Sequence, residues 1–194
     1  MRVLVGLSGA SGVQLGVKLA NFAQNAGCEV GVICTQNALK SWWFERQNTE
    51  FNEEAAKTQL QNSLLDKIQI FNQIHHAPAS ASSLWEALCV VPCSTNTLAK
   101  ISCGIADNLL TRTAAVMLKE RRKMVLAVRE MPLSTLVLQQ LSALSQMGVV
   151  IAPPIFASYA NPQNLEELQE FFIGKFLDVL GVSNSLFTRW DKSN

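Results

Sequence analysis

The chain is predicted to fold as a three-layer α/β/α sandwich of Rossmann or flavodoxin type, around a parallel sheet. Short apolar runs recur at Arg2 to Leu7, Cys28 to Cys34, Leu88 to Val91, Met124 to Val128 and Val149 to Ala152. They lack the strict alternation of strands with one wet face, so they read as strands buried on both faces. Segments of helical periodicity separate them, which implies parallel pairing through right-handed crossovers. Polar clusters follow the strands, where an open α/β sheet takes its ligands.

Each element has a local reason. Ser8-Gly9-Ala10-Ser11-Gly12 is a turn after the first strand, and Val13 to Ala26 is a helix stopped by Gly27. After the second strand, Asn37 to Gln47 and Asn52 to Leu65 read as helices, and Asp66 to Ser83 carries no clear period. After the third strand, helices are expected near Thr97 to Cys103 and from Asn108 to Glu120. Arg121-Arg122-Lys123 then suits the end of a helix, where cations complement its dipole. Ser134 to Met147 is a helix capped by Gly148, and Asn164 to Leu180 is the last long one.

Composition narrows the function. With 48% apolar and 16% charged residues, the 194-residue chain can bury a large core in one domain. A net charge of +1 supplies no field for nucleic acid or an anionic membrane. The apolar start breaks at Ser8-Gly9, too early for a membrane span or leader. Five cysteines without a CxxC pair, and only two histidines, argue against a metal site and for a reducing cytoplasm. Cys34 and Cys89 are expected to pack as small hydrophobes.

Several polar groups could carry chemistry. Gly9 and Gly12 allow a tight backbone before a helix whose N–H groups can face an anion, with Ser8 and Ser11 as further donors. The same turn suits an ordinary helix start capped by Ser11. Ser94, Thr95, Asn96 and Thr97 place four hydrogen-bonding side chains after a buried strand, more than one helix cap needs, and could hold a phosphate without lysine. Arg112 and Lys119, seven apart, share a helix face or form a solvated stripe. Arg129-Glu130 ends the fourth strand, as reactive groups or as a local ion pair. Tyr159, the single tyrosine, follows Pro153-Pro154 and is either packed or turned toward a ligand.

The motifs SGASG, PCSTNTL, NLLTRTA, LKERR, VREMPLS and PP…Y…PQ occur in that order between Val3 and Trp190. This ordered set resembles the UbiX-type flavin prenyltransferases, formerly described as aromatic acid decarboxylases. The resemblance implies a Rossmann-like flavoprotein. It would join a dimethylallyl group, taken from dimethylallyl phosphate, to N5 and C6 of reduced FMN. It also implies a homododecamer with sites between subunits, and delivery of the prenylated flavin to a UbiD-type decarboxylase. A tail from about residue 181 to 194 is expected to pack on a neighbouring subunit.

By motif, Gly9, Ala10 and Ser11 would contact the flavin, Thr35 would lie beside it, and Ser94 to Thr97 would hold its phosphate with Arg112 near. Arg129 would stand between flavin and prenyl phosphate. Lys119, Tyr159 and Lys175 would bind that phosphate, and Trp190 would face the prenyl group. Glu130 would manage protons, with Ser11 and Glu45 also catalytic, Glu45 entering a neighbour's site. The chain departs from the family pattern at Leu15, Ala115, Val137 and Lys175, where tyrosine, aspartate, histidine and arginine are usual. An FMN-dependent decarboxylase of a cysteine derivative is the alternative enzyme. Its PASANT motif resembles Pro92 to Thr97 and its histidine could be His75 or His76, but the PxMNxxMW flap is missing. A non-catalytic flavin-binding subunit is the other alternative.

Overall fold

A computed structural model describes residues 1–190. Six strands form one sheet: β1 (Arg2–Leu7), β2 (Glu29–Cys34), β3 (Gln69–Phe71), β4 (Ala87–Cys93), β5 (Lys123–Val128) and β6 (Val150–Ile151). Their order is β3-β2-β1-β4-β5-β6, and each neighbouring pair is parallel. Seven α-helices connect them among the described residues. They are α1 (Val13–Asn25), α2 (Gln36–Phe44), α3 (Glu53–Asn62), α4 (Thr95–Ser102), α5 (Leu109–Lys119), α6 (Thr135–Gln146) and α7 (Leu165–Leu180).

The predicted three layers are present, because alternate residues of each strand feed opposite cores. Val3, Val5 and Leu7 face a cluster with α1, α2, α3 and α7, including Trp42, Leu60 and Phe176. Leu4, Leu88 and Leu126 face a second cluster with α4, α5 and α6, including Leu98, Leu110 and Leu144. The expected elements recur with ends moved by a few residues. The main addition is β3, inside the segment that shows no period. It is three residues long, at the sheet edge, and pairs only with Gly31 to Ile33 of β2. A strand that short leaves no repeat to read. Another difference is β4, which runs on through Pro92 to Cys93, with a cis Val91–Pro92 bond and a register shift against β5.

Beyond β3 the chain is tied to α5 and to the turn after it rather than periodic. Thr113 Oγ1 donates to Pro78 O at 3.2 Å, and Arg122 donates to Ala81 O and Trp85 O at 2.8 and 3.0 Å.

Cys89 is fully buried as expected, and burial pushes the Cys34 and Cys93 thiols up to about 12, so neither offers a thiolate at neutral pH. No helix among the described residues is long and apolar enough to cross a membrane.

One helix departs from the layered pattern. Of α6 only Leu144 is buried, while Leu136 and Leu138 are 63% and 51% exposed. Met131, Met147, Ile155 and Phe156, in the flanking segments, are exposed too.

Candidate functional site

The strand order reverses between β1 and β4, which lie side by side, while α1 and α4 leave toward opposite faces. Such a switch point opens a crevice beyond the carboxyl ends of the strands. Here it is a cleft of about 520 Å³ lined by Gly9, Thr35 and Ser94 to Thr97, with Asn37, Lys100, Asp107 and Asn108.

Close packing fixes its floor. Ser8 is fully buried; its hydroxyl donates to Pro92 O and accepts from Ser94 N, both at 2.8 Å. It therefore joins the two strand ends rather than serving as the ligand donor expected of it. A Cβ on Gly9 would come within 2.5 Å of Asn37 Cβ, and one on Gly16 would run into the Val91 carbonyl. The first approach brings α2 against the β1 turn, and the second seats α1 on β4. Gly16 was missed in the sequence reading, although its spacing after Gly9 and Gly12 was the available signal.

Three helices begin at this cleft. Thr35 caps α2 by accepting from Ala38 N at 3.2 Å. Ser94 caps α4 by accepting from Thr97 N at 3.2 Å, and its hydroxyl meets that of Thr97 at 3.0 Å. Asn108 caps α5 in a reciprocal box with Thr111. Each first turn leaves N–H groups without an intrahelical acceptor, here those of Gln36, Asn37, Thr95 and Asn96. The partial positive ends of three helices thus converge on one cavity, a setting for an anion such as phosphate. Sequence reasoning found the start of α4 but not its convergence with those of α2 and α5.

The turn after β1 differs in detail from the sequence expectation. The residue that begins α1 is Gly12, with φ 95°, so Ser11 is exposed and is not the cap. Glu45, at the end of α2, ties the turn to it: its Oε1 accepts from Gly12 N at 2.7 Å. Ala10 is buried, and Gly9, Ser11, Lys40 and Glu45 border a second, shallower hollow.

One strand further along, Arg129 N donates to Cys93 O at 3.1 Å, which sets Arg129 and Glu130 beside Ser94 at the sheet edge. The two side chains form no ion pair; Glu130 Oε1 accepts from Met131 N at 3.1 Å. The remaining candidates lie elsewhere in the chain. Arg112 Nε donates to Ala79 O at 3.2 Å, and Lys119 pairs with Glu120 at 2.7 Å. Both are exposed on α5, and neither is among the residues lining the cleft. Tyr159 and Trp190 do come together, ring centroids 5.7 Å apart, with Phe171 6.0 Å from Tyr159. Lys175 stands 5.9 Å from the Phe187 ring.

The tail has contacts within its own chain. Through Trp190 it folds on its own α7: Arg189 grips Asp178 at 2.8 and 2.9 Å, and Phe187 fills the space over Gly174. The Arg189 hydrogen bond, helped by Asn184, holds the Asp178 carboxyl below its ordinary range. Residues 191–194 of the expected tail lie outside the described residues. His76, a candidate of the alternative decarboxylase reading, uses Nδ1 to accept from Asn72 N and Gln73 N at 3.3 Å.

The fold and the crevice define a nucleotide-binding α/β protein of the doubly wound class. Comparison with known proteins makes this specific. A family model described as Flavoprotein matches residues 1–177. The flavin prenyltransferase UbiX of Campylobacter jejuni is 44% identical over 191 residues, covering 98% of both chains. That of Helicobacter pylori is 35% identical over 192 residues, again 98% of both. A crystal structure of AnUbiX in complex with FMN and dimethylallyl pyrophosphate superposes with a TM-score of 0.87 at 31% identity, covering 100% of this chain and 98% of that one. A dodecameric FMN-dependent UbiX-like decarboxylase from Escherichia coli O157:H7 gives 0.85 at 32% identity, covering 98% and 100%. The cysteine decarboxylase TvaF, at 22% identity and 0.61, shares the fold alone. The chain belongs to the flavoprotein family, among the UbiX flavin prenyltransferases.

Proposed function

We propose that this chain transfers a dimethylallyl group to reduced FMN. The observation that carries the reading is the convergence of three helix starts on the β1–β4 crevice, with Arg129 and Glu130 on the next strand end. The residues present fit FMN: the N–H groups of Thr95 and Asn96, the Ser94 to Thr97 hydroxyls and the Gly9 turn suit its phosphate and a closely approaching ring. When bound, the reduced flavin supplies nucleophilic N5 and C6. Arg129 would orient the prenyl phosphate against it, and Lys119, Lys175 and Tyr159 would stabilise the departing phosphate. Trp190 and the aromatic rings around Tyr159 would shelter allylic cation character. Glu130 would accept the proton released from the flavin.

Within one chain these prenyl-side groups are spread over β5, α5 and α7. We infer that assembly completes the site. The exposed Leu136 and Leu138 of α6, with Met131, Ile155 and Phe156, support a homo-oligomer, a dodecamer by likeness to the Escherichia coli structure. Glu45, which accepts from Gly12 N in its own chain, would then turn to a neighbour's site, and the tail would touch a neighbour. Five free cysteines support a cytoplasmic setting. The product would pass to a UbiD-type decarboxylase.

The test is direct. Anaerobic protein with reduced FMN and dimethylallyl phosphate should yield an extracted flavin heavier by one prenyl unit in mass spectrometry. Glu130→Gln should keep FMN and slow the product by about 10²–10⁴-fold. Bound FMN without an adduct, from either the phosphate or the diphosphate donor, would refute the reading.

A further inference from the structure

Among the described residues, Lys100 is the one cation lining the flavin cleft, and it is already engaged. Its Nζ lies 2.6 Å from Asp107 Oδ2. Asp107 is itself anchored: Oδ1 accepts from Asn108 Nδ2 at 2.9 Å and from Thr111 Oγ1 at 3.4 Å. Asn108 in turn is fixed by capping Thr111 N at 3.1 Å. The carboxylate therefore belongs to the start of α5 and draws Lys100 across to it. The Lys100 hydrogen bond holds the Asp107 carboxyl below its ordinary range, so it is ionised throughout the neutral range.

Without Asp107 the lysine has another destination. Lys100 and Asn96 are one turn apart on the cleft-facing side of α4, roughly 6 Å along the axis. Helical side chains lean toward the N-terminus, and a lysine stem spans about that distance. A released ammonium would reach the anion position above Thr95 and Asn96 and add a charge-assisted hydrogen bond there. We propose that Asp107 withholds Lys100 from the flavin phosphate, leaving that phosphate to helix N-termini and hydroxyls. The device suits an enzyme whose flavin is a substrate. Grip shared equally by bound substrate and product adds nothing to the chemical step and slows release. The inference rests on the reading that the cleft takes FMN.

The test compares FMN with riboflavin, which lacks the phosphate, by calorimetry at low salt. Asp107→Asn keeps the side-chain shape and should bind FMN roughly 3- to 10-fold more tightly, with riboflavin unchanged. Its product should leave more slowly in a stopped-flow chase, and the gain should shrink in high salt. Lys100→Met leaves Asp107 unpaired beside the phosphate and should weaken FMN while sparing riboflavin. The double variant Lys100→Met with Asp107→Asn should lose the gain of Asp107→Asn. The proposal is overturned if Asp107→Asn weakens FMN, leaves it unchanged or shifts both flavins alike, or if the double variant keeps the gain. Wild-type protein that binds neither flavin would refute the flavin cleft itself, a separate result from FMN binding that Asp107→Asn fails to tighten.

Discussion

The β1–β4 cleft and the region around Arg129, Glu130, Tyr159 and Trp190 are built differently. The cleft is shaped by contacts within one chain: Ser8 ties β1 to β4, Gly9 and Gly16 allow close approach, and Thr35, Ser94 and Asn108 cap the helices around it. The other region holds Arg129, Glu130, Tyr159 and Trp190 in exposed loops, beside a helix with one buried residue. Trp190 is 73% exposed and Met131 89%. On the proposed reading, a single chain holds the flavin phosphate before a neighbour completes the prenyl side. Binding and turnover should therefore separate experimentally.

The largest effect should come from the assembly side. Leu136→Asp combined with Leu138→Asp places charge on both exposed flanks of α6. Light scattering should show smaller particles that still bind FMN, with prenyl transfer down roughly 10²-fold or more through lost positioning. Intact oligomers, or full turnover in dissociated ones, would break the comparison. Next is the cleft side. Gly16→Val forces a side chain against the Val91 carbonyl and should cost about 1–3 kcal/mol in urea denaturation, with FMN affinity falling in parallel. An unchanged midpoint would mean that α1 need not sit so close to β4.

Ser94→Ala should cost about 0.5–2 kcal/mol through the lost α4 cap, and should weaken FMN more than riboflavin. Equal losses for both flavins in calorimetry would move the phosphate away from α4. The smallest effect belongs to the tail. Asp178 has its folded-state pKa depressed, chiefly by Arg189, so its contribution is whole above the unfolded value near 3.8. It is lost as pH falls through the folded value. The pair is partly exposed, so Asp178→Asn at neutral pH should cost only about 0.2–1 kcal/mol. Wild type should lose that increment in acid, and the variant should lack it at every pH. A double-mutant cycle with Arg189→Gln reads the coupling, and no coupling at pH 7 would detach the tail from α7.

The sequence by itself determined the layered fold and half of the site. Buried parallel strands are short and apolar on both faces, so β1, β2, β4 and β5 were legible as runs. Ser94 to Thr97 was legible because four hydrogen-bonding residues exceed what one helix cap needs. Tertiary structure decided the rest. It added β3, too short for any period. It turned Ser8 from ligand donor into a strand tie, moved the start of α1 from Ser11 to Gly12, and tied Gly12 N to Glu45. It also engaged Arg112 with Ala79 and Lys100 with Asp107. These outcomes depend on which groups meet across gaps of 7 to 86 positions in the chain. Local propensity records what a segment can form, while only the packed sheet decides which partner each polar group finds.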